Sequence, residues 1–362
     1  MILLLCAFSF LFPPKTELVF LANGFSYTEN LYLEPKSRTF YQLGMGKIDP
    51  LETRKFSMQQ VQKLPFHLRT QVIPDTTVLI FERNTTPNHC HHFFHFLEHL
   101  IGLWNFGGEA CRENVKLVLF VGNGTRQFEW EGGNQTSIHL VQALFPNAKI
   151  AHWKEFIKER RHQLIRFEKV LSSDRAMEVK KEEPYPTERY MGGYFQKLEP
   201  KRIDRLSKAV WNYAGEKKEL SKKKKVTYVT RSAPRCLAKE EEQTLLEKIG
   251  QLEGVELHVV DFAKMPFKEQ IQIAANTDVL IGVHGNGLSH ALFLPEKATL
   301  IELFPPNTFR VEYKIFAELR KLNYFGWEPS TGWNKAKETF GPTVDLPVFG
   351  IDIEKIISIC LL

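Results

Sequence analysis

Between residues 224 and 333 the apolar positions switch back and forth between two spacings. Lys225–Arg231 (KVTYVTR) is a β-branched run that predicts a strand, and the following KEEEQTLLEKIGQL repeats at helical spacing. Val255–Phe262 (VELHVVDF) predicts a second strand, and PFKEQIQIAAN, with Pro266 near its start, predicts a helix. Thr277–Gly285 (TDVLIGVHG) reads as a third, apolar strand and Thr299–Phe304 (TLIELF) as a fourth. A helical stretch, VEYKIFAELRKL, and a last strand, NYFGW, complete the series. Strands alternating with helices predict a parallel, doubly wound sheet covered on both faces.

The earlier half is less regular. TTVLIF (76–81) and VKLVLFV (115–121) predict buried strands flanking a histidine-rich helix, and SIHLVQALFP and AKIAHW continue the alternation, so a second, looser α/β domain is expected. Met177–Phe195 mixes charge, prolines and paired glycines and reads as the connection between the halves. The organisation expected is a leader or anchor remnant at 1–20, an α/β domain at 21–195, a Rossmann-like domain at 196–330 and a tail at 331–362. The tail ends in an amphipathic helix, VFGIDIEKIISICLL.

The 362 residues are too many for one ordinary core. A net charge of +6 is mild, and the one dense basic run, EKKELSKKKK, reads as a solvated loop beside a strand, so no nucleic-acid partner is expected. Ile2–Phe12 is apolar but shorter than the ~20 residues a spanning helix needs, and it lacks a basic start and a small-residue cleavage site. It reads as a poor signal, as part of a type II anchor that would tether the chain to a membrane, or as a buried strand. Three sequons, at Asn84, Asn123 and Asn134, favour the lumen of the endoplasmic reticulum or Golgi. Of five cysteines, Cys90, Cys111, Cys236 and Cys360 remain once Cys6 is set aside with the leader, enough for two disulfides.

Two stretches carry candidate chemistry. In NHCHHFFHFLEHLIGLW (88–104), His91, His95 and His99 recur every four residues, with Glu98 seven after His91, so a helix gathers them on one stripe. His95-x-x-Glu98-His99 also satisfies the H-x-x-E-H pattern of inverted zinc peptidases, although no third ligand stands in a compelling position. The duller reading is a set of helix-surface histidines. In GVHGNGLSHALFLP (282–295), a strand runs through His284, Gly285, Asn286, Gly287 and Leu288 into a helical stretch. Backbone N–H groups at such a helix start favour an anion. Arg231 and Arg235 follow an earlier strand of the same sheet, so they fall on the carboxyl edge where open sheets bind ligands. Glu302, at the end of the next strand, is placed to accept from a ribose hydroxyl.

Taken together, Asn88, His91 and Phe93; Arg231, Ser232 and Arg235; and Asp278, His284, Gly285 and Leu288, followed by LFLP and Glu302, resemble the family-61 glycosyltransferases. One departure stands out: where that family carries an aspartate four residues after the histidine, this chain has His95. The resemblance implies an α/β, GT-B-like fold of two facing Rossmann-like domains, with a C-terminal helix returning to the first. It implies a UDP-sugar donor and a glycoprotein or glycan acceptor. The base it implies is His91, with His95 and Glu98 as alternatives. Arg231, Arg235, His284, Gly285, Asn286, Gly287, Leu288 and Glu302 form the nucleotide-sugar site. No Asp-x-Asp is present, so no metal or other cofactor is expected. The competing readings are the zinc peptidase and a sugar-nucleotide-binding protein with little or no catalysis.

Overall fold

A computed structural model describes residues 17–20, 26–43, 57–64, 69–81, 114–121, 136–172, 200–215, 222–308, 310–333 and 345–362. The described residues up to Ser172 form one compact unit and those from Pro200 onward form another. Among the described residues no helix is long and apolar enough to cross a membrane. His91, His95, Glu98, the sequon asparagines, Cys90 and Cys111 lie outside the described residues.

The first unit is built on an eight-stranded mixed sheet. Strands β1 (Glu17–Phe20), β2 (Ser26–Glu34), β3 (Thr39–Leu43) and β4 (Ser57–Val61) precede the long β5 (Arg69–Phe81). β6 (Val115–Val121), helix α1 (Thr136–Leu144), β7 (Lys149–His152), helix α2 (Trp153–Arg160) and β8 (Gln163–Ser172) follow. The order is β4-β3-β2-β8-β5-β6-β7, with β1 paired to β2. β8, β5, β6 and β7 are mutually parallel, whereas β2 runs antiparallel to both β8 and β3. The unit is therefore a short parallel α/β segment extended by an antiparallel ribbon rather than a plain Rossmann domain. The pairing of β5 with β8 shifts register between Ile73 and Thr76, where Asp75 has φ 61°, which lets Pro74 sit in a strand without a ladder donor. Leu31, Leu33, Leu79, Leu119, Ile165 and Phe167 meet Trp153 and Phe156 of α2 in its core.

In the second unit, helix α3 (Pro200–Ala214) leads into β9 (Lys224–Val229), α4 (Lys239–Gly250) and β10 (Val255–Val260). Then come α5 (Phe267–Ala275), β11 (Val279–Val283), a 3-10 segment (Asn286–Phe293), β12 (Thr299–Leu303), α6 (Glu312–Leu319) and β13 (Asn323–Glu328). β14 (Gly332–Trp333) and helix α7 (Ile353–Leu361) end the chain. The six strands lie in the order β10-β9-β11-β12-β13-β14, all parallel except the final pair. β10 lies on one side of β9 and β11 on the other, so the winding reverses between β9 and β11. In open parallel sheets that crevice, beyond the carboxyl ends of the strands, is where ligands bind.

The alternation of side chains sorts the two faces. Val226, Tyr228, Val279, Ile281, Ile301 and Leu303 turn toward Leu245 and Ile249 of α4 and Ile356, Ile359 and Cys360 of α7. The tail helix thus buries its apolar stripe in the second unit's own core, which corrects the expectation that it returns to the first domain. Its sequence is amphipathic enough to demand a partner, but periodicity does not say which one. Cys236 and Cys360 are free thiols, which corrects the expectation that the four cysteines supply two disulfides. Burial raises the Cys360 thiol to about 11, as suits a core residue.

Candidate active site

β9 delivers Arg231 and β11 delivers His284 on either side of the crevice where the sheet winding reverses. Arg231 Nη1 donates to the main-chain oxygen of His284 at 2.5 Å. The guanidinium fills the space beside the next residue so completely that a Cβ on Gly285 would lie 1.4 Å from Arg231 Nη1. A Cβ on Gly287 would lie 2.8 Å from Val229 Cγ1. Both glycines are therefore required by close approach rather than by an unusual φ. The N–H groups of Asn286 and Gly287 head the 3-10 segment, the end of a helical stretch that lacks intrahelical acceptors. Leu288 N–H is already spent on Gly285 O at 2.9 Å, and its buried side chain packs inward, which removes Leu288 from the set of anion donors.

The expected α-helix after the turn is instead a 3-10 segment of eight residues. Side chains at i and i+3 eclipse in that geometry. The chain uses this: Ser289 Oγ donates to Asn286 Oδ1 at 3.1 Å, and His290 Nδ1 lies 2.8 Å from Gly287 O. The His290 ring stacks on Phe262 with centroids 3.9 Å apart, and its Nε2 lies 2.9 Å from Gln270 Oε1. Every contact of this second histidine braces the turn.

His284 is buried against the Phe304 and Tyr313 rings. Its Nδ1 lies 2.5 Å from Glu302 Oε1, and Tyr324 donates to Glu302 Oε2 at 2.7 Å. Burial pushes Glu302 up to about 8 and His284 down to about 3, so both groups favour their neutral forms. A protonated Glu302 then donates to Nδ1, which leaves the ring proton on Nε2. Glu302 has no exposed surface and both its oxygens are engaged, so it holds His284 from behind and does not reach a ribose, correcting the expectation from sequence. Asp278, at the other end of β11, accepts from Lys225 N–H at 2.8 Å and so fastens two strand starts.

A residue that the sequence pattern did not single out supplies a second buried carboxylate whose charge acts on His284. Glu312 opens α6, is buried, and receives Arg310 Nε at 2.7 Å and Nη2 at 2.6 Å on Oε1. Its Oε2 is buried without a hydrogen-bond partner. After burial, the field at His284 is set first by Glu312, which favours the charged ring, and then by Arg310, Arg231 and Arg235, which oppose it. Arg231, Arg235, Arg310 and Glu312 thus all act on His284 through their charges, and Arg231 also bonds the turn itself. Arg235 also pairs with the exposed Asp345 at 3.1 Å, an ion pair of small worth in water. The Arg231 guanidinium and the main-chain N–H groups of Asn286 and Gly287 are thus gathered at one turn, a chemistry that favours an anion.

Comparison with known proteins agrees with this chemistry. The chain matches the family model described as Glycosyltransferase 61 over residues 66–301. It is similar to the EGF domain-specific O-linked N-acetylglucosamine transferase of Drosophila melanogaster, 38% identical over 108 residues, or 29% of this chain and 20% of that protein. The enzyme of the same name from Mus musculus is 32% identical over 146 residues, covering 38% of this chain and 27% of that protein. A Xenopus laevis counterpart is 40% identical over 87 residues, 23% of this chain and 16% of that protein. The matched stretches thus span about a quarter or less of these relatives' own length. With the family model covering well over half of its residues, the chain belongs to glycosyltransferase family 61.

Proposed function

We propose that this protein is an inverting glycosyltransferase of the GT-B type. It moves a sugar from a UDP-sugar to a hydroxyl of a glycoprotein or glycan in the lumen of the endoplasmic reticulum or Golgi. N-acetylglucosamine is the first donor to test, since the relatives' names specify it and an EGF-domain acceptor; xylose and arabinose are the other donors of similar enzymes. The observation that carries the reading is the Arg231 guanidinium bonded to the glycine-rich turn at His284, beside the N–H groups that open the 3-10 segment.

The acceptor oxygen attacks the anomeric carbon while the bond from that carbon to the diphosphate breaks on the opposite face. Charge builds on the departing UDP, and the hydroxyl proton must go to a base. The arginines and the Asn286 and Gly287 N–H groups act on the diphosphate. Neutral His284, held by Glu302 and Tyr324, offers Nε2–H as an uncharged donor. His91 is the proposed base, with His95 and Glu98 as alternatives or orienting partners; an imidazole titrating near 6.5 suits proton abstraction at neutral pH. The arginine cluster takes the role that a metal-diphosphate clamp fills elsewhere, so no divalent ion is required.

The test is a panel of UDP-sugars offered to the purified protein, read as UDP release. Release from one or a few donors supports the reading. Release from none, with no measurable UDP binding, overturns it.

A further inference from the structure

His290 follows Gly287 by one turn of the 3-10 segment, and both of its ring nitrogens face oxygen atoms. Nδ1 lies 2.8 Å from Gly287 O, and Nε2 lies 2.9 Å from Gln270 Oε1. A peptide carbonyl and an amide oxygen can only accept. The Gln270 amide is not free to turn over and offer a donor, because its Nε2 already donates to Phe262 O and to Met265 O, each at 2.8 Å. Turning it would gain one bond, lose two, and set Oε1 against two carbonyl oxygens. A neutral imidazole has one N–H and satisfies only one of its two acceptors, whereas an imidazolium satisfies both.

The rest of the surroundings pull in both directions. The ring stacks on Phe262 with centroids 3.9 Å apart, a contact that favours a cation. Burial opposes the charge and holds the proton affinity below that of an ordinary histidine, while Gly287 O raises it. Charged neighbours do not decide the balance. Lys268 of α5 lies over the Tyr213 ring, and Asp261 pairs with Lys264 at 2.9 Å. Asp204 of α3 is bonded to Arg320, and Glu312 of α6 to Arg310. Arg205, Lys208 and Glu269 are exposed. Among the described residues no charged group acts on the His290 proton. The free protein therefore holds a histidine whose hydrogen bonds fit a second proton that its own surroundings do not supply.

We propose that His290 is a positioning residue of the glycine-rich turn, taking a second proton from solvent when a diphosphate binds there. The inference rests on the transferase reading, in which the Asn286 and Gly287 N–H groups act on that diphosphate. Gly287 links the two events, since its N–H is a phosphate donor in that reading and its carbonyl oxygen is bonded to His290. The negative charge brought to this residue supplies the field that offsets burial. The imidazolium then donates to Gly287 O through Nδ1 and to Gln270 Oε1 through Nε2, tying the turn to α5 while the ligand is in place. No proton passes to the substrate, so the role is separate from that of the base.

The experiment is titration calorimetry on the full chain with UDP-N-acetylglucosamine, whose esterified diphosphate lacks the phosphate ionisation near pH 6 that free UDP would add. Each titration is run at about pH 5 and about pH 7.5, in two buffers of different ionisation heat, which counts the protons taken up. A nearby opposite charge raises proton affinity about 10- to 1,000-fold, so the parent should bind about tenfold more tightly at the lower pH and take up a proton as it does so. His290→Gln can still donate but cannot take a charge, and its affinities at the two pH values should agree within about twofold. A variant that keeps the parent's pH dependence overturns the inference. So does one that weakens binding equally at both pH values, which is what bracing alone would give. If His290→Gln fails to fold, the proton count on the parent decides: uptake supports the inference and none overturns it. No binding at either pH removes the transferase reading and this inference with it, whereas pH-independent binding removes this inference alone.

Discussion

Gly285→Ala separates the site's electrostatics from its fold. The new methyl would lie 1.4 Å from Arg231 Nη1, whereas carbon and nitrogen in contact need about 3.5 Å, so the guanidinium must retreat by about 2 Å. The backbone itself is not strained, because Gly285 is in extended conformation that alanine adopts freely. What yields is the tip of a flexible side chain, and the bond from Arg231 to His284 O goes with it. A charge-assisted hydrogen bond is worth about 1.5–3 kcal/mol, which corresponds to a UDP affinity about 10- to 100-fold weaker if that guanidinium grips the diphosphate. Titration calorimetry with UDP measures the loss, and circular dichroism should show a thermal midpoint within a few degrees of the parent.

The decisive comparison is a double-mutant cycle. Arg231→Ala should weaken UDP to a similar extent. In that background Gly285→Ala has nothing left to displace, so adding it should cost almost nothing further. The pairwise coupling then equals nearly the whole effect of the glycine substitution. Affinity within twofold of the parent for Gly285→Ala, or losses that simply add in the double variant, would refute the placement of the arginine as the phosphate grip.

Other outcomes follow from the same geometry. Glu302 is raised from 4.5 to about 8, so its contribution to stability fades as pH rises between those values. His284 is lowered from 6.5 to about 3, so its contribution fades as pH falls between those values. The two slopes cancel from about pH 4.5 to 6.5, and chemical denaturation should show a plateau there; Glu302→Gln should remove the decline between about pH 6.5 and 8. Glu312→Gln keeps an oxygen for Arg310 but removes the charge of this buried pair, and should destabilise the protein by about 1.5–3 kcal/mol, as chemical denaturation would register. His91→Ala should retain UDP binding and lose transfer; normal transfer would show that the base lies elsewhere. Transfer should survive EDTA, and abolition with rescue by a divalent ion would contradict the arginine-based account.

The second unit was legible because its strands are short apolar runs separated by helical spacing, and that pattern depends only on which faces are covered. The first unit's sheet was not. β8 is central, between β2 and β5, yet carries Arg166, Glu168 and Lys169 among its apolar residues. Arg166 is accommodated by donating to Asn30 Oδ1 at 3.0 Å, a partner 136 positions away that no local window contains. β2 to β4 join the sheet through antiparallel and parallel pairings whose register the sequence does not state.

The candidate site shows the same division between local and long-range information. Arg231, His284 and the glycines were readable because each follows a strand, and strand ends on one edge converge whatever the order of the strands. Glu302 was misread because its role depends on its neighbours across the sheet. The register sets Gly282 on one side of it and Gly326 on the other. Two glycines flanking a buried carboxylate leave a gap on that face, and the His284 ring and Tyr324 hydroxyl bond Glu302 there. A Cβ at Gly326 would press to 2.9 Å from the Tyr324 hydroxyl, so the gap is needed for the pairing. Glu312 escaped notice for the opposite reason: it begins an ordinary amphipathic helix, where an acidic residue needs no explanation beyond the helix dipole. Only burial, with one oxygen on Arg310 and the other left over, distinguishes it from an ordinary helix-start glutamate.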